Sequence, residues 1–77
     1  MSDLKDFKAA IDNYLKAVYY DPNNAEALFD LGNAYRRDGD SVNAVTIFNR
    51  VIELFPETDT ARKAKQFLVD YDAGETE

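Results

Sequence analysis

Apolar residues recur along this chain at helical spacing, in four blocks separated by short polar turns. In the first block Leu4, Phe7, Ala10, Ile11, Tyr14 and Val18 fall on one side of a helix. The pattern predicts a helix over residues 3–20, with Ser2 placed to cap it. Asp21-Pro22-Asn23-Asn24 follows. Pro22 disfavours the helical region for Asp21, and the two asparagines suit a turn. The second block, Leu28, Leu31, Ala34 and Tyr35, predicts a helix over residues 24–38. Asn23 or Asn24 can cap its start. Glu26 suits the positive end of the helix dipole and Arg36 and Arg37 the negative end, while Gly39 can take the left-handed conformation that ends it. The third block, Ala44, Val45, Phe48, Val51 and Ile52, predicts a helix over residues 41–54, closed by Pro56. Val42, Val45, Thr46 and Val51 are β-branched and lean toward strand, but the apolar period is helical, and the period decides. In the fourth block Ala61, Ala64, Phe67, Leu68 and Tyr71 form a narrow stripe surrounded by Arg62, Lys63, Lys65, Gln66 and Asp70. It predicts a helix over residues 58–71. Residues 1–72 read as one domain and residues 73–77 as a disordered acidic tail. The loops are short, so successive helices are antiparallel neighbours. The fold class is all-α, an antiparallel α-hairpin stack of about four helices.

The blocks also repeat. Ala10-Ile11, Tyr14, Ala17-Val18 and Pro22 recur 34 residues later as Ala44-Val45, Phe48, Val51-Ile52 and Pro56, and Asp6 recurs as Asp40. A fixed period of this size marks a helical-repeat architecture. Gly32 lies inside the second helix, where it costs about 1 kcal/mol relative to Ala. That cost is rational if another helix approaches closely there, with Ala44 the natural facing residue.

Residues 25–58 resemble one whole tetratricopeptide repeat, carried by Ala25-Glu26-Ala27-Leu28, Leu31-Gly32-Asn33-Ala34-Tyr35, Gly39-Asp40, Ala44-Val45, Phe48, Val51 and Pro56. Residues 7–24 resemble the second half of a preceding repeat, and residues 59–71 the first helix of a following one. The register slips by two residues in the last case: Ala64 then matches Leu28, Phe67 matches Leu31, Leu68 matches Gly32 and Tyr71 matches Tyr35. The resemblance implies a fragment of a right-handed superhelix whose first helices line a concave surface.

Composition narrows the function. A chain of 77 residues makes a thin core, and with no Cys it has no disulfide to reinforce it. No His and no Cys are present, so a thiol nucleophile, an imidazole base and a zinc set built on either are excluded. Ser2 and Ser41 have no base partner and read as helix caps. Asp38-Gly39-Asp40 lacks the remaining ligands of a calcium loop and reads as a turn. No cofactor, metal or catalytic residue is expected, and the chain reads as no enzyme. The net charge of −6 argues against nucleic acid, and no run is long enough to span a membrane. The start of the chain has no signal-peptide character, which favours a cytoplasmic location; a periplasmic one stays open if the chain is part of a longer protein. Tyr14, Tyr19, Tyr20, Tyr35 and Tyr71 read as packing residues with a wet hydroxyl.

What remains is binding of a protein or peptide. By its place in the repeat, the resemblance puts Glu26, Phe29, Asp30, Asn33, Arg36 and Arg37 on the groove side of the second helix, and Arg62, Lys65 and Gln66 on that of the fourth. Phe29 sits off the core stripe, either as an exposed anchor or packed on a neighbour. Asn33, Arg62 and Lys65 match a peptide-carboxylate clamp in part, while Glu26 and Asp30 depart from it. The alternative is a structural unit that assembles with its own kind through its incomplete terminal repeats. A monomer is expected in dilute solution, with weak head-to-tail or swapped self-association as concentration or salt rises.

Overall fold

Side-chain caps set the helix boundaries. The computed structural model describes the backbone of residues 3–75 and the side chains of residues 7–71. Four helices follow one another: α1 Asp3–Tyr20, α2 Ala25–Arg37, α3 Ser41–Leu54 and α4 Asp59–Glu75. The Asn24 carboxamide accepts from the Ala27 amide at 3.1 Å and starts α2. Asp40 does the same for α3, accepting from the Asn43 amide at 3.2 Å. Asp40 is therefore the cap and Ser41 the first helical residue, a correction to the reading of Ser41 as a cap; Ser2 lies outside the described residues. Thr58 starts α4: its hydroxyl accepts from the Ala61 amide at 3.1 Å and donates to the Phe55 carbonyl at 2.7 Å.

α2 ends in a Schellman motif. The Gly39 amide reaches the Arg36 carbonyl at 3.1 Å, and the Asp40 amide reaches the Tyr35 carbonyl at 2.9 Å. Gly39 holds φ at +86°, which only glycine adopts without strain. At the other end of the chain the expectation fails. Instead of stopping at Tyr71, α4 continues through Ala73 to Glu75, and residues 76 and 77 lie outside the described residues. Nothing in Asp72-Ala73-Gly74 stops a helix: there is no Pro, and one Gly costs about 1 kcal/mol, too little to end a helix already running.

α2 is the central element. It packs against α1 on one side and α3 on the other; α4 packs on α3 and touches α2. The Cα atoms fill a slab 33 × 32 × 16 Å, so thin that every helix keeps an exposed face. Among the described residues the core is wholly apolar: Ile11, Leu28, Leu31, Ala34, Ala44, Phe48, Val51, Ala61 and Ala64. Phe48 is 0% exposed. Its ring centroid lies 5.2 Å from that of Phe29 on α2 and 4.5 Å from that of Phe67 on α4, and Tyr71 extends the row at 6.0 Å from Phe67. An aromatic row thus crosses three helices.

The atoms nearest to Gly32 belong to this row. A Cβ placed on Gly32 would lie 2.8 Å from Cε1 of Phe48, and the three nearest atoms all belong to that ring. The close approach expected of this glycine exists, and the atoms nearest to it are those of an aromatic ring.

Two glycine substitutions separate the two roles. Gly32→Ala gains about 1 kcal/mol of helix propensity. It also forces a methyl into a ring that packs on Phe29 and Phe67, an overpacking worth about 1–3 kcal/mol. A net loss of stability is expected, read from the urea midpoint; a midpoint at or above the parent's would mean that the Phe48 ring can yield. Gly39→Ala meets no atoms within 4 Å and should lose about 1 kcal/mol from backbone strain alone.

Candidate partner-binding surface

Two helix faces oppose each other across the start of the stack. α1 presents Phe7, Ala10 and Tyr14, spaced to share one face, and α2 presents Asp30, Asn33, Ala34 and Arg37 in the same way. Between them lies a groove of about 320 Å³. Its α1 wall is apolar and half-buried. Its α2 wall is polar and carries a carboxylate and a guanidinium two turns apart, with Asn33 between them. An apolar wall facing a few placed polar groups is the arrangement that seats an amphipathic helix or a peptide.

A second, more open surface lies on α4, formed by Asp59, Arg62, Lys63 and Gln66. A third joins Lys8, Ile11 and Asp12 of α1 to Tyr35, Asp38 and Asp40 at the end of α2. Among the described residues no group of acidic side chains is arranged to hold a metal ion.

The residues singled out from the sequence divide among these places. Asp30, Asn33 and Arg37 line the α1/α2 groove, while Arg62 and Gln66 line the α4 surface. Glu26 and Lys65 are exposed and line neither. Arg36 is exposed; its guanidinium carbon sits 5.6 Å from the Phe67 ring centroid, and its Nε donates to Asn33 Oδ1 at 3.4 Å. Phe29 is half-buried against Phe48, so of its two readings the packed one describes its surroundings. Gln66 donates from Nε2 to Asp70 Oδ1 at 3.2 Å. Tyr19 and Tyr20 depart from the packing expected of them: they are 78% and 80% exposed at the last turn of α1, stacked edge to face at 5.1 Å.

Phe7, Ala10 and Tyr14 read as core in the sequence and stand here as groove wall. A signal for this was present. Tyr14 is the counterpart of Phe48 one period earlier, and its hydroxyl marks a ring with a wet edge where Phe48 has none. Lys63 was likewise passed over as a groove residue, yet it lies close enough to Asp30 to act on its charge.

Asp30 is the electrostatic centre of the α2 wall. Its carboxyl is raised above the ordinary range, first by burial and then by the neighbouring Glu26 carboxylate; the Lys63 ammonium opposes both.

Two family models match the chain, one described as TPR repeat over residues 3–39 and one as tetratricopeptide repeat over residues 26–58. The chain belongs to the tetratricopeptide repeat family, whose repeats are non-enzymatic and generally mediate contacts between proteins. Among curated proteins it is similar to the bovine (Bos taurus) peptidyl-prolyl cis-trans isomerase FKBP4, 37% identical over 59 residues. That match covers 77% of this chain and 13% of the relative. Among the described residues no helix is long and apolar enough to cross a membrane.

The raised Asp30 carboxyl has a definite sign. The fold binds its proton more tightly than the unfolded chain does, so its contribution to stability is full below the unfolded carboxylate range and is lost as pH rises through the folded value. Asp30→Asn should therefore raise the melting temperature at neutral pH, and the gain over the parent should close as pH falls into the carboxylate range. In a carboxyl NMR titration, Glu26→Gln should lower the Asp30 midpoint and Lys63→Gln should raise it; opposite shifts would overturn the assignment of causes.

Proposed function

We propose that this chain is a non-enzymatic protein-interaction module that seats a partner helix or peptide along α2, with the α1/α2 groove as its deepest point. One observation carries the reading: the open apolar row Phe7, Ala10, Tyr14 set against the polar row Asp30, Asn33, Arg37. An incoming helix would place apolar side chains at helical spacing against α1. Its polar edge would meet the Asn33 amide and the two charges of α2. Glu26, Arg36, Arg62, Lys65 and Gln66 form the charged rim, which sets orientation more than affinity. The Phe29 ring contributes through Phe48, by stiffening the floor of α2. The non-enzymatic reading rests on the lack of His and Cys together with the interaction role of the family. A peptide-carboxylate clamp draws no support, because Asn33 is engaged by Arg36 and lines a different surface from Arg62.

Peptides selected on the protein from a displayed library, containing helix-forming and extended sequences, provide the test. In an NMR titration with the selected peptide, amide signals of Ala10, Tyr14, Asn33 and Arg37 should shift, while those of Asn43 and Arg50 on α3 stay still. Tyr14→Ala should weaken such a peptide about tenfold or more, as truncation of an aromatic anchor does, and Arg50→Ala should not. Shifts confined to α3, or selected peptides indifferent to Tyr14, would move the site elsewhere.

A further inference from the structure

We propose that Asp38-Gly39 is a self-modification site: its backbone isomerises to isoaspartate when the turn between α2 and α3 opens, and the folded turn holds that chemistry off. It is the one Asp-Gly step in the chain. The reaction needs an amide nitrogen with no side chain beside it and a carboxyl close to the main chain. Gly39 supplies the first: a Cβ there would meet nothing within 4 Å, and the residue is exposed to water. Asp38 supplies the second. The Gly39 nitrogen attacks Cγ of the protonated Asp38 carboxyl. An N–C bond forms, the C–OH bond breaks, and the amide proton leaves with the hydroxyl as water, giving a succinimide ring. Water then adds to one of the two ring carbonyls. Addition at Cγ restores aspartate. Addition at the main-chain carbonyl breaks that carbon's bond to nitrogen. The chain then runs through Cβ and Cγ, and the old main-chain carbonyl carbon carries the free carboxylate. The water lost is regained, no oxidant or cofactor is consumed, and the product keeps the mass of the parent.

The geometry of the turn opposes the first step. Asp38 sits at φ −78° and ψ −2°. With ψ near zero, the Gly39 nitrogen eclipses the Asp38 nitrogen. Ring closure needs it to eclipse Cβ, roughly a third of a turn away around the Cα–C bond. That rotation swings the next peptide plane out of the Schellman motif. It breaks the bond from the Gly39 amide to the Arg36 carbonyl at 3.1 Å and that from the Asp40 amide to the Tyr35 carbonyl at 2.9 Å. Closure therefore waits on local opening. The product does not rebuild the turn. Isoaspartate adds one backbone atom between the Tyr35 carbonyl and the Asp40 amide, inside the ring that their hydrogen bond closes. It also sets a carboxylate on the main chain at the negative end of α2, where an anion is unfavourable. Asp40 caps α3 through Asn43, at 3.2 Å to its amide and 2.7 Å to its Nδ2, so the added atom shifts the start of α3 against the end of α2. Under two turns back lies Gly32, whose contact with the Phe48 ring leaves no slack. Each conversion is a one-way record that the turn has opened, written where it weakens the α2/α3 contact.

Ageing the full chain at neutral pH and body temperature tests this. Peptide mapping by liquid chromatography and mass spectrometry reads isoaspartate at position 38, equal in mass to the parent peptide but separate in retention. Labelling by an isoaspartyl carboxyl methyltransferase counts it independently. The folded parent should convert about tenfold or more slowly than the same chain unfolded in urea. Asp40→Ala removes the α3 cap, and circular dichroism confirms that it is folded. It should convert several-fold faster than the parent in buffer and at the parent's rate in urea. Asp38→Glu, whose longer side chain would have to close a larger ring, should give no isomer at that position in either. The isolated isoaspartate form should melt below the parent. Equal rates for the folded and the unfolded parent would overturn the protection, and so would an Asp40→Ala rate equal to the parent's in buffer. No isoaspartate at position 38 in urea would overturn the site itself. An unchanged melt of the product would overturn its effect on the α2/α3 contact.

Discussion

The whole fold depends on how closely α2 and α3 approach at Gly32 and Phe48. The Phe48 ring lies nearer to the Gly32 backbone than any side chain would allow, and from there it reaches Phe29 on its own hairpin partner and Phe67 on the next helix. A slab 16 Å thick has no room for a second layer of core. One fully buried aromatic therefore ties together three of the four helices. With no disulfide and no buried polar side chain among the described residues, apolar packing of this kind holds the helices together. Substitutions on this row should couple to one another, because Phe29, Phe48 and Phe67 share neighbours, whereas the caps at Asn24, Asp40 and Thr58 act one helix at a time.

Much of this architecture was legible in the sequence, and the failures have a common cause. Period, turn residues and capping side chains are local properties, so the helices and their antiparallel order could be read from them. The contact of Gly32 with the Phe48 ring could not. Which residue faces a glycine depends on how two helices are rotated about their axes, and apolar spacing leaves that angle open by about a turn. The surroundings of Phe29 were ambiguous for a related reason. α2 is held by α1, α3 and α4 together, so its buried arc, Ala27, Leu28, Leu31, Gly32 and Ala34, is wider than a single stripe, and Phe29 falls at its edge. The end of α4 was misplaced because the chain lacks a stop signal there; acidic composition says how well a segment is solvated, not whether it is helical.

The site was less legible than the fold. Position in the repeat marked out one surface, but the structure distributes those residues over an α1/α2 groove and an α4 face, with Arg36 drawn aside onto Phe67. Charge explains part of the division. Asp30 sits at the edge of the core, close to Glu26 and within reach of Lys63, so it belongs electrostatically to both surfaces at once. A ligand that brings a cation to Asp30 would relieve the repulsion from Glu26, and one that brings an anion would add to it. In the proposed binding mode the α2 wall would therefore select for orientation even where the apolar wall of α1 would not.

In a repeat of this kind, core and binding surface are not different chemistries. Tyr14 and Phe48 occupy the same place in successive units, on helices of the same pattern. Phe48 is core because α2 and α4 cover it, whereas Tyr14 is half-open. The hydroxyl that distinguishes them fits this difference, since a ring partly in water is served by a polar edge and a fully buried ring is not. Which repeat positions carry Gly, Phe or Tyr thus sets how closely neighbouring helices pack.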